Sequence, residues 1–339
     1  LSLSHERAAV DLVGASGRAG LKSAIRQVLL VTFATEAAAA VLLALGFWWR
    51  GDGLGEAAWR GLFTAVSAFC NAGFALQSDS LVSYADSPWT LGVTGVTIAL
   101  GGLGPAVVVS SWPGEARRSL QARLVLWSTA LLLVAPIPLI ALLEWNGTLA
   151  GLSVADKLCN AAFQSVTLRT AGFNSIDLTQ IKPATWSLMM VLMFIGGSPS
   201  STAGGAKTTT VAVVLLAILA VVRGRPRVEI FGRALPADTV LRATAVTALA
   251  VLGCGGALVA LQLTQVMPLD VAAFEVVSAL ATVGLSTGGT GALDEVGKLI
   301  IMACMFAGRV GPLTLFVFLT SNTRAQIARR YPEEPILIG

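Results

Sequence analysis

The residues best suited to chemistry lie in three short strings: SAFCNAGF (Ser67 to Phe74), SVTLRTAGF (Ser165 to Phe173) and SALATVGL (Ser278 to Leu285). Each carries small or polar residues, then a glycine, then a bulky apolar residue. Gly73 and Gly172 are 99 residues apart, Gly172 and Gly284 112, and a long hydrophobic segment lies on each side of every copy. The chemistry these residue types offer is backbone ligation. Glycine supplies positive φ and the close approach that carbonyl oxygens need to face a shared axis. One copy would read equally well as a membrane hairpin packed through glycine; three at near-equal spacing read as a repeated unit.

Elements able to position such loops are visible in the composition. Of 339 residues, 55% are hydrophobic and 12% charged, and the mean hydropathy is +0.77, against roughly 25% charged residues in soluble domains. The chain is therefore expected to be an integral membrane protein. Four cysteines stand far apart with no CxxC pair, which suggests neither a disulfide framework nor a zinc site and leaves them as small apolar fillers. The single histidine, His5, removes most hydrolytic and metal chemistry. The first residues do not form a secretory signal, and the opening Leu1 suggests a chain cut from something longer.

Six segments are long and apolar enough to cross a bilayer: Gln27 to Trp49, Trp89 to Trp112, Leu124 to Trp145, Trp186 to Val222 with an interruption, Thr239 to Leu263 and Val296 to Leu319. Several end on tryptophan, as rings anchored at headgroup level do. Two kinds of connector alternate. Short basic ones carry Arg18, Lys22 and Arg26; Arg117, Arg118 and Arg123; Arg223, Arg225, Arg227 and Arg233; and Arg324, Arg329 and Arg330. The positive-inside bias makes these cytoplasmic, with both termini inside, so that the pI near 9.1 reflects topology rather than nucleic-acid binding.

The other connectors contain the repeats and enter from outside. Each begins with a stretch too short to span: Ala57 to Phe69, Val154 to Val166, Val271 to Leu280. These are pore-helix candidates. A helix ending near the midplane aims its C-terminal carbonyls, the negative end of its dipole, at the centre and favours a cation there. The non-helical backbone that follows is tolerated at that depth only where it is enclosed by protein or lines water.

With these strings in place the chain resembles the membrane subunit of the Trk/Ktr/HKT superfamily of potassium transporters, most closely the KtrB type, from about Ser23 to Thr323. FCNAGFALQSDSL matches the second pore loop of that family, TLRTAGFNSIDL the third and ATVGLSTG the fourth. MFIGGSPSSTAGGAKTTT (Met193 to Thr210) and MFAGRVGPLTL (Met305 to Leu315) are similar to the segments after the third and fourth loops and favour the Ktr branch. The resemblance implies an all-α membrane fold of four helix, re-entrant loop, helix units arranged pseudo-fourfold around one pore. Each unit would give one filter glycine, here Gly73, Gly172 and Gly284. Carbonyls of Asn71, Ala72, Thr170, Ala171, Thr282 and Val283 would line the same passage as a K⁺ filter.

The resemblance leads one to expect three of the four units in this sequence, with the first missing. The expected division is 1–26 as a cytoplasmic segment, 27–123, 124–235 and 236–323 as the second, third and fourth units, and 324–339 as a cytoplasmic tail. A chain of this kind does not close a family-type pore alone, and a fragment or truncated product is favoured over a three-repeat channel.

Met193 to Thr210 interrupts a span with Pro199 and the glycines Gly196, Gly197, Gly204 and Gly205, which cannot form a stable helix. The resemblance implies an intramembrane gate loop under the filter, ending at Lys207. From the residues alone, Lys207 faces a pathway or a partner, or snorkels to the cytoplasmic interface. The stretch mimics a P-loop, but Ala206 stands where glycine must precede the lysine, so nucleotide binding is not expected. Gly101 in GGLGP is read as close helix packing. Arg309, midway in the last span, needs a partner; the resemblance places it near the ion path, as a barrier in contact with the gate loop, and a structural role bonding carbonyls of the broken helix is compatible. Glu36 and Glu275 are read as packing or polar-network residues.

The expected function is potassium uptake across the plasma membrane by a multi-pass, non-enzymatic pore subunit. K⁺, with Na⁺ the alternative, is the transported ion, and no cofactor is expected in the chain. A sodium or mixed Na⁺/K⁺ transporter of the same family, or a non-conducting fragment, is the other reading. A multi-pass lipid-modifying enzyme would need clustered acids or metal ligands, and the chain offers none. The resemblance further implies a homodimer and a soluble nucleotide-binding ring of the KtrA/TrkA type. The connectors at Arg117 and Arg223 and the tail IARRYPEEPILIG fit contact with that ring or with anionic lipid equally well.

Overall fold

The computed structural model describes residues 17–104, 107, 120–199 and 201–321, with side chains described from 25 to 310. His5, Arg117, Arg118, Arg324, Arg329, Arg330 and the expected tail 324–339 lie outside the described residues, as do the side chains of Arg18 and Lys22.

Three helix, short helix, helix units follow one another. In the first, α1 (Gly17–Trp49) is apolar along most of its length, and Gly51, at φ +103, ends the turn after it. The half-membrane helix α2 (Leu54–Phe69) returns against α1. Gly61 permits that contact, since a β-carbon there would lie 2.6 Å from the Ala40 carbonyl oxygen. Helix α3 (Pro88–Leu103) starts on Pro88 behind Ser87, whose side chain accepts from the Thr90 N–H.

The second unit opens with α4 (Leu120–Val134) and α5 (Pro136–Glu144). The sequence reads these as one span; Pro136 lacks the N–H that would continue the helix and divides it. The half-membrane helix α6 (Val154–Thr167) is capped by Ser153, which accepts from the Asp156 N–H. Helix α7 (Pro183–Phe194) stops at Ile195, and α8 (Thr208–Val222) resumes after the glycine-rich loop. A two-residue hairpin, β1 (Glu229–Ile230) against β2 (Arg233–Ala234), leads out of α8. Its central Phe231 and Gly232 both have positive φ, +52 and +75, the turn that matches strand twist. This short hairpin leaves the all-α membrane fold intact, and the Arg123 guanidinium lies 4.3 Å from the centre of its Phe231 ring.

In the third unit α9 (Ala237–Thr264) is followed by the half-membrane α10 (Leu269–Leu280) and the 27-residue α11 (Glu295–Ser321). By length and composition, Ile25–Trp49, Leu120–Glu144 and Ala237–Thr264 can each cross a membrane. Their exposed faces carry Phe33, Trp127, Leu142 and Leu252, apolar residues turned outward as lipid contact requires.

Units pack by a repeated step: α3 of the first lies on α6 of the second, and α7 of the second on α10 of the third. Buried clusters accordingly cross unit boundaries. Leu43, Phe47 and Ile98 pack with Phe163 and Phe173, and Ile140, Leu168 and Met193 with Phe274, Val283 and Leu285.

Candidate functional site

The three glycine loops meet. A β-carbon on Gly73 would lie 2.5 Å from the Ala171 carbonyl oxygen and 2.9 Å from the Gly172 Cα; one on Gly172 would lie 2.4 Å from the Val283 carbonyl oxygen. Gly284 completes the contact, its β-carbon position being 3.8 Å from the Gly172 Cα. Gly172 is buried between the other two.

The backbone follows one pattern in all three. The glycines have φ of +72, +83 and +90, and the residues two before them, Asn71, Thr170 and Thr282, have φ of +50, +66 and +55. Ala72, Ala171 and Val283 between them stay outside the positive-φ set. Alternating hand along a chain turns successive carbonyls toward one side, where an extended strand would alternate them. A non-glycine residue at positive φ is uncommon and costs about 1–2 kcal/mol, so three at the same register must be held by their surroundings.

Part of that hold is a hydroxyl tie. Ser67 Oγ donates to the Phe74 carbonyl at 2.8 Å, Thr167 Oγ1 to that of Phe173 at 2.6 Å, and Ser278 Oγ to that of Leu285 at 2.6 Å. Each bond links the last turns of a half-membrane helix to the carbonyl just past the glycine. In the second string the expected leading serine, Ser165, instead donates to the Leu133 carbonyl at 2.7 Å, and Thr167 takes over the tie. Counted back from the glycine, the tie of the second string stands one residue nearer than in the other two, which alignment by serine hides.

Three residues before the tying hydroxyl, the second and third half-membrane helices carry a polar side chain that reaches the chain beyond the loop. Gln164 Nε2 donates to Ser175 Oγ at 3.4 Å. Glu275 accepts from Ser286 Oγ at 2.7 Å, from Thr287 N at 2.9 Å and from Thr290 Oγ1, which makes it the network residue the sequence suggested. The Asn71 amide nitrogen, in the orientation that suits its neighbours, reaches the Ala68 carbonyl at 3.0 Å and the Ile98 carbonyl at 3.3 Å. Thr170 and Thr282 keep buried hydroxyls with no partner among the described residues.

The interrupted segment lies against these loops. Gly196 N donates to the Ala206 carbonyl at 2.7 Å and Thr208 N to that of Gly197 at 3.0 Å, closing the loop at its neck. A β-carbon on Gly196 would be 1.9 Å from the Gly204 carbonyl oxygen, and one on Gly204 1.8 Å from Thr282 Oγ1. Gly205, at φ +66, has its β-carbon position 3.3 Å from the Ala281 carbonyl oxygen, and that of Gly197 falls 2.3 Å from the Ala203 β-carbon. The loop reaches the first unit through Thr202 Oγ1, which donates to the Phe69 and Gly101 carbonyls at 3.1 Å. It reaches the third through Arg309, whose Nη1 donates to the Thr202 carbonyl at 2.7 Å. Lys207 Nζ donates to the Ala203 carbonyl at 2.6 Å. The expected packing role of Gly101 has a direct cause: a β-carbon there would lie 2.0 Å from the Phe69 carbonyl oxygen.

Two residues differ from the sequence reading. Cys70 is exposed rather than a core filler, with its thiol 3.9 Å from Glu36 Oε1. Arg169, passed over as part of the TLRTAGF string, is 5% exposed and donates to the Gly196 carbonyl. The available signal was a guanidinium three residues before Gly172. Among the described residues no group of three or more His, Cys, Asp or Glu side chains is placed to hold a metal ion.

Comparison with known proteins gives the family and the fold. A family model described as TrkH, cation transport protein, matches residues 1–112 and 120–325. The potassium/sodium uptake protein NtpJ of Enterococcus hirae is 40% identical over 295 residues, 85% of this chain and 65% of that protein. The Ktr system potassium uptake protein B of Vibrio alginolyticus is 35% identical over 350 residues, covering 100% of this chain and 75% of that one; its Bacillus subtilis counterpart is 36% identical over 324 residues, 94% and 72%. The chain thus spans between 65% and 75% of the length of these relatives. The crystal structure of the potassium transporter TrkH from Vibrio parahaemolyticus superposes with a TM-score of 0.72 over 93% of this chain and 68% of that one; at 20% identity the likeness is one of fold.

Proposed function

This chain belongs to the TrkH family of cation transport proteins, and from that premise we propose that it supplies three units of the ion path of a potassium uptake system. The single observation carrying this reading is the meeting of Gly73, Gly172 and Gly284, each at positive φ and each just past the C-terminus of a half-membrane helix. At that place the pore-helix dipoles present negative potential and the loop carbonyls can replace the hydration shell of a monovalent cation. We take Asn71, Ala72, Thr170, Ala171, Thr282 and Val283 as the residues whose carbonyls flank the ion. One glycine per unit gives a short filter, so potassium is preferred and sodium only partly excluded. A mixed Na⁺/K⁺ reading has its own support: the 40%-identical relative from Enterococcus hirae is named for both ions.

The loop from Gly196 to Lys207 is the gate in this reading, held shut by the Arg309 bond to Thr202 and the Lys207 bond to Ala203. The units run over 27–123, 124–235 and 236–323. The protein lies in the plasma membrane with the basic connectors inside. Described acids there leave Arg223, Arg225 and Arg227 without an ion pair, whereas Arg50 and Arg60 at the other end pair with Asp86 and Asp52 at 2.9 Å. A second copy of the chain and a nucleotide-binding ring of the KtrA/TrkA type would assemble on it. The role is conduction rather than catalysis, with no cofactor of its own.

The test is rubidium uptake by the complete transporter in cells deficient in potassium uptake. Uptake that potassium inhibits more strongly than sodium, and that Gly172→Ser abolishes without loss of membrane insertion, is the expected result. Uptake unchanged by Gly172→Ser removes the filter assignment.

A further inference from the structure

Three cationic side chains hold carbonyl oxygens of the intramembrane loop: Arg309 at Thr202, Lys207 at Ala203 and Arg169 at Gly196. Arg169 differs from the other two in its origin. It belongs to the second filter loop, immediately before Thr170 with its φ of +66 and three residues before Gly172. Gly196, its acceptor, is the neck of the intramembrane loop, where the chain leaves α7 and where Ala206 returns to within 2.7 Å. One guanidinium therefore spans the two functional loops.

Arg169 has no acidic partner among the described residues. It stands two positions beyond the end of α6, and the carbonyls of that helix terminus offset part of the cost of burying its charge. Taking a charge out of water is costly even where it is hydrogen-bonded, so packing alone is a weak reason for arginine here. Its Nη1 has no partner among the described residues, and Arg169 lines a small, mainly apolar cavity with Thr129, Leu133, Gly197 and Thr208; the Thr208 hydroxyl is also unpartnered. The guanidinium thus has one backbone acceptor, the Gly196 carbonyl.

Resting on the potassium-uptake reading, we propose that Arg169 is a positioning residue that couples the second filter loop to the intramembrane loop. Displacing the loop neck breaks the bond to Gly196 or drags the backbone of Thr170 with it. Occupancy of the filter by potassium, which fixes the Thr170 to Gly172 backbone, in turn fixes the loop.

The test uses the complete transporter in proteoliposomes, with Cys70, Cys159, Cys254 and Cys304 replaced by serine and a Ser201→Cys probe in the loop. The labelling rate by a membrane-impermeant thiol reagent is measured in potassium and in choline. In the parent, potassium changes the rate by about fivefold or more, and in Arg169→Gln the two rates agree within about twofold. Arg169→Met, which fills the volume with no donor, should behave like Arg169→Gln and carries the test if the latter fails to assemble. Arg169→Lys keeps one donor and should retain part of the potassium dependence, a rescue that a volume-filling role would not give. Potassium-dependent labelling preserved in the Gln or Met variant, absent in the parent, or lost equally in Lys and Met overturns the coupling. Rubidium uptake by the parent, read in the same vesicles, separates this outcome from failure of the function itself.

Discussion

A β-carbon on Gly73 would stand 2.5 Å from the carbonyl oxygen of Ala171, so two loops 99 residues apart in sequence touch through backbone alone. Any side chain at Gly73 or Gly172 must push an adjacent loop aside and also adopt a φ that costs an L-residue about 1–2 kcal/mol. Gly73→Ala and Gly172→Ala are expected to insert normally and to lose at least about tenfold in rubidium uptake, a change worth about 1.4 kcal/mol in the conducting state. Uptake within twofold of the parent in both would count against a shared ion path.

The hydroxyl ties are separable from the proposed filter itself. Thr167→Val keeps the shape and removes the donor to the Phe173 carbonyl, leaving a buried acceptor unmet at a cost of about 1–3 kcal/mol. A lowered Tm in detergent and weaker discrimination of potassium over sodium should appear together. Ser165→Ala, which loses a bond to Leu133 instead, should lower Tm and leave discrimination intact.

Glu275 gathers donors from Ser286, Thr287 and Thr290 in the segment that follows the third loop. Glu275→Gln keeps the volume but turns one acceptor edge into a donor, facing groups that themselves donate. Hydrogen bonds to charged groups are worth about 1.5–3 kcal/mol, so faster amide exchange confined to residues 285–292 is expected. Exchange unchanged there would show that the loop is held by other contacts.

Arg309 is exposed and bonds the loop at Thr202. Arg309→Gln removes a charge from the proposed path and weakens the loop's tie to α11. Rubidium uptake should rise severalfold, the opposite sign to the glycine substitutions. A fall with unchanged surface expression would make Arg309 a structural prop instead.

In the segment after the second loop, Asp177 accepts from Thr179 Oγ1 at 2.7 Å, Thr179 N at 2.9 Å and Gln180 Nε2 at 2.8 Å. The Thr179 hydroxyl first, and the backbone N–H after it, hold this carboxyl below the usual carboxylate range. Because its folded pKa is depressed, its contribution is present above the unfolded pKa of about 4 and is lost as pH falls through the folded value. The Tm difference between parent and Asp177→Asn should therefore be measurable at pH 7 and shrink on acidification below about pH 4. A difference that is constant from neutral to acid would mean that the carboxylate charge is not what matters.

The repeated strings and half-membrane helices were legible in the sequence because both leave local marks: glycine at a fixed register, and apolar stretches too short to span. Their convergence was an expectation resting on resemblance, and it needed coordinates, since nothing local brings Gly73 to Gly172. Lys207 and Arg309 stood out as ionisable residues inside apolar runs. Arg169 did not, because its partner is the backbone of Gly196, and a carbonyl acceptor leaves no trace in residue type. The Thr167 tie was hidden by a nearby serine that matches the other copies in spelling but not in turn of helix. The hairpin at Phe231 lacks the usual Asn-Gly or Asp-Gly signal of a two-residue turn.

The stepwise packing of α3 on α6 and of α7 on α10 gives the assembly a direction. A bulky lesion in one inner helix bears on the loop of its successor along the polypeptide, so the quadrant that misbehaves is downstream of the quadrant that was altered. Genetic suppressors should then arise one unit later than the original defect, following the chain like a relay.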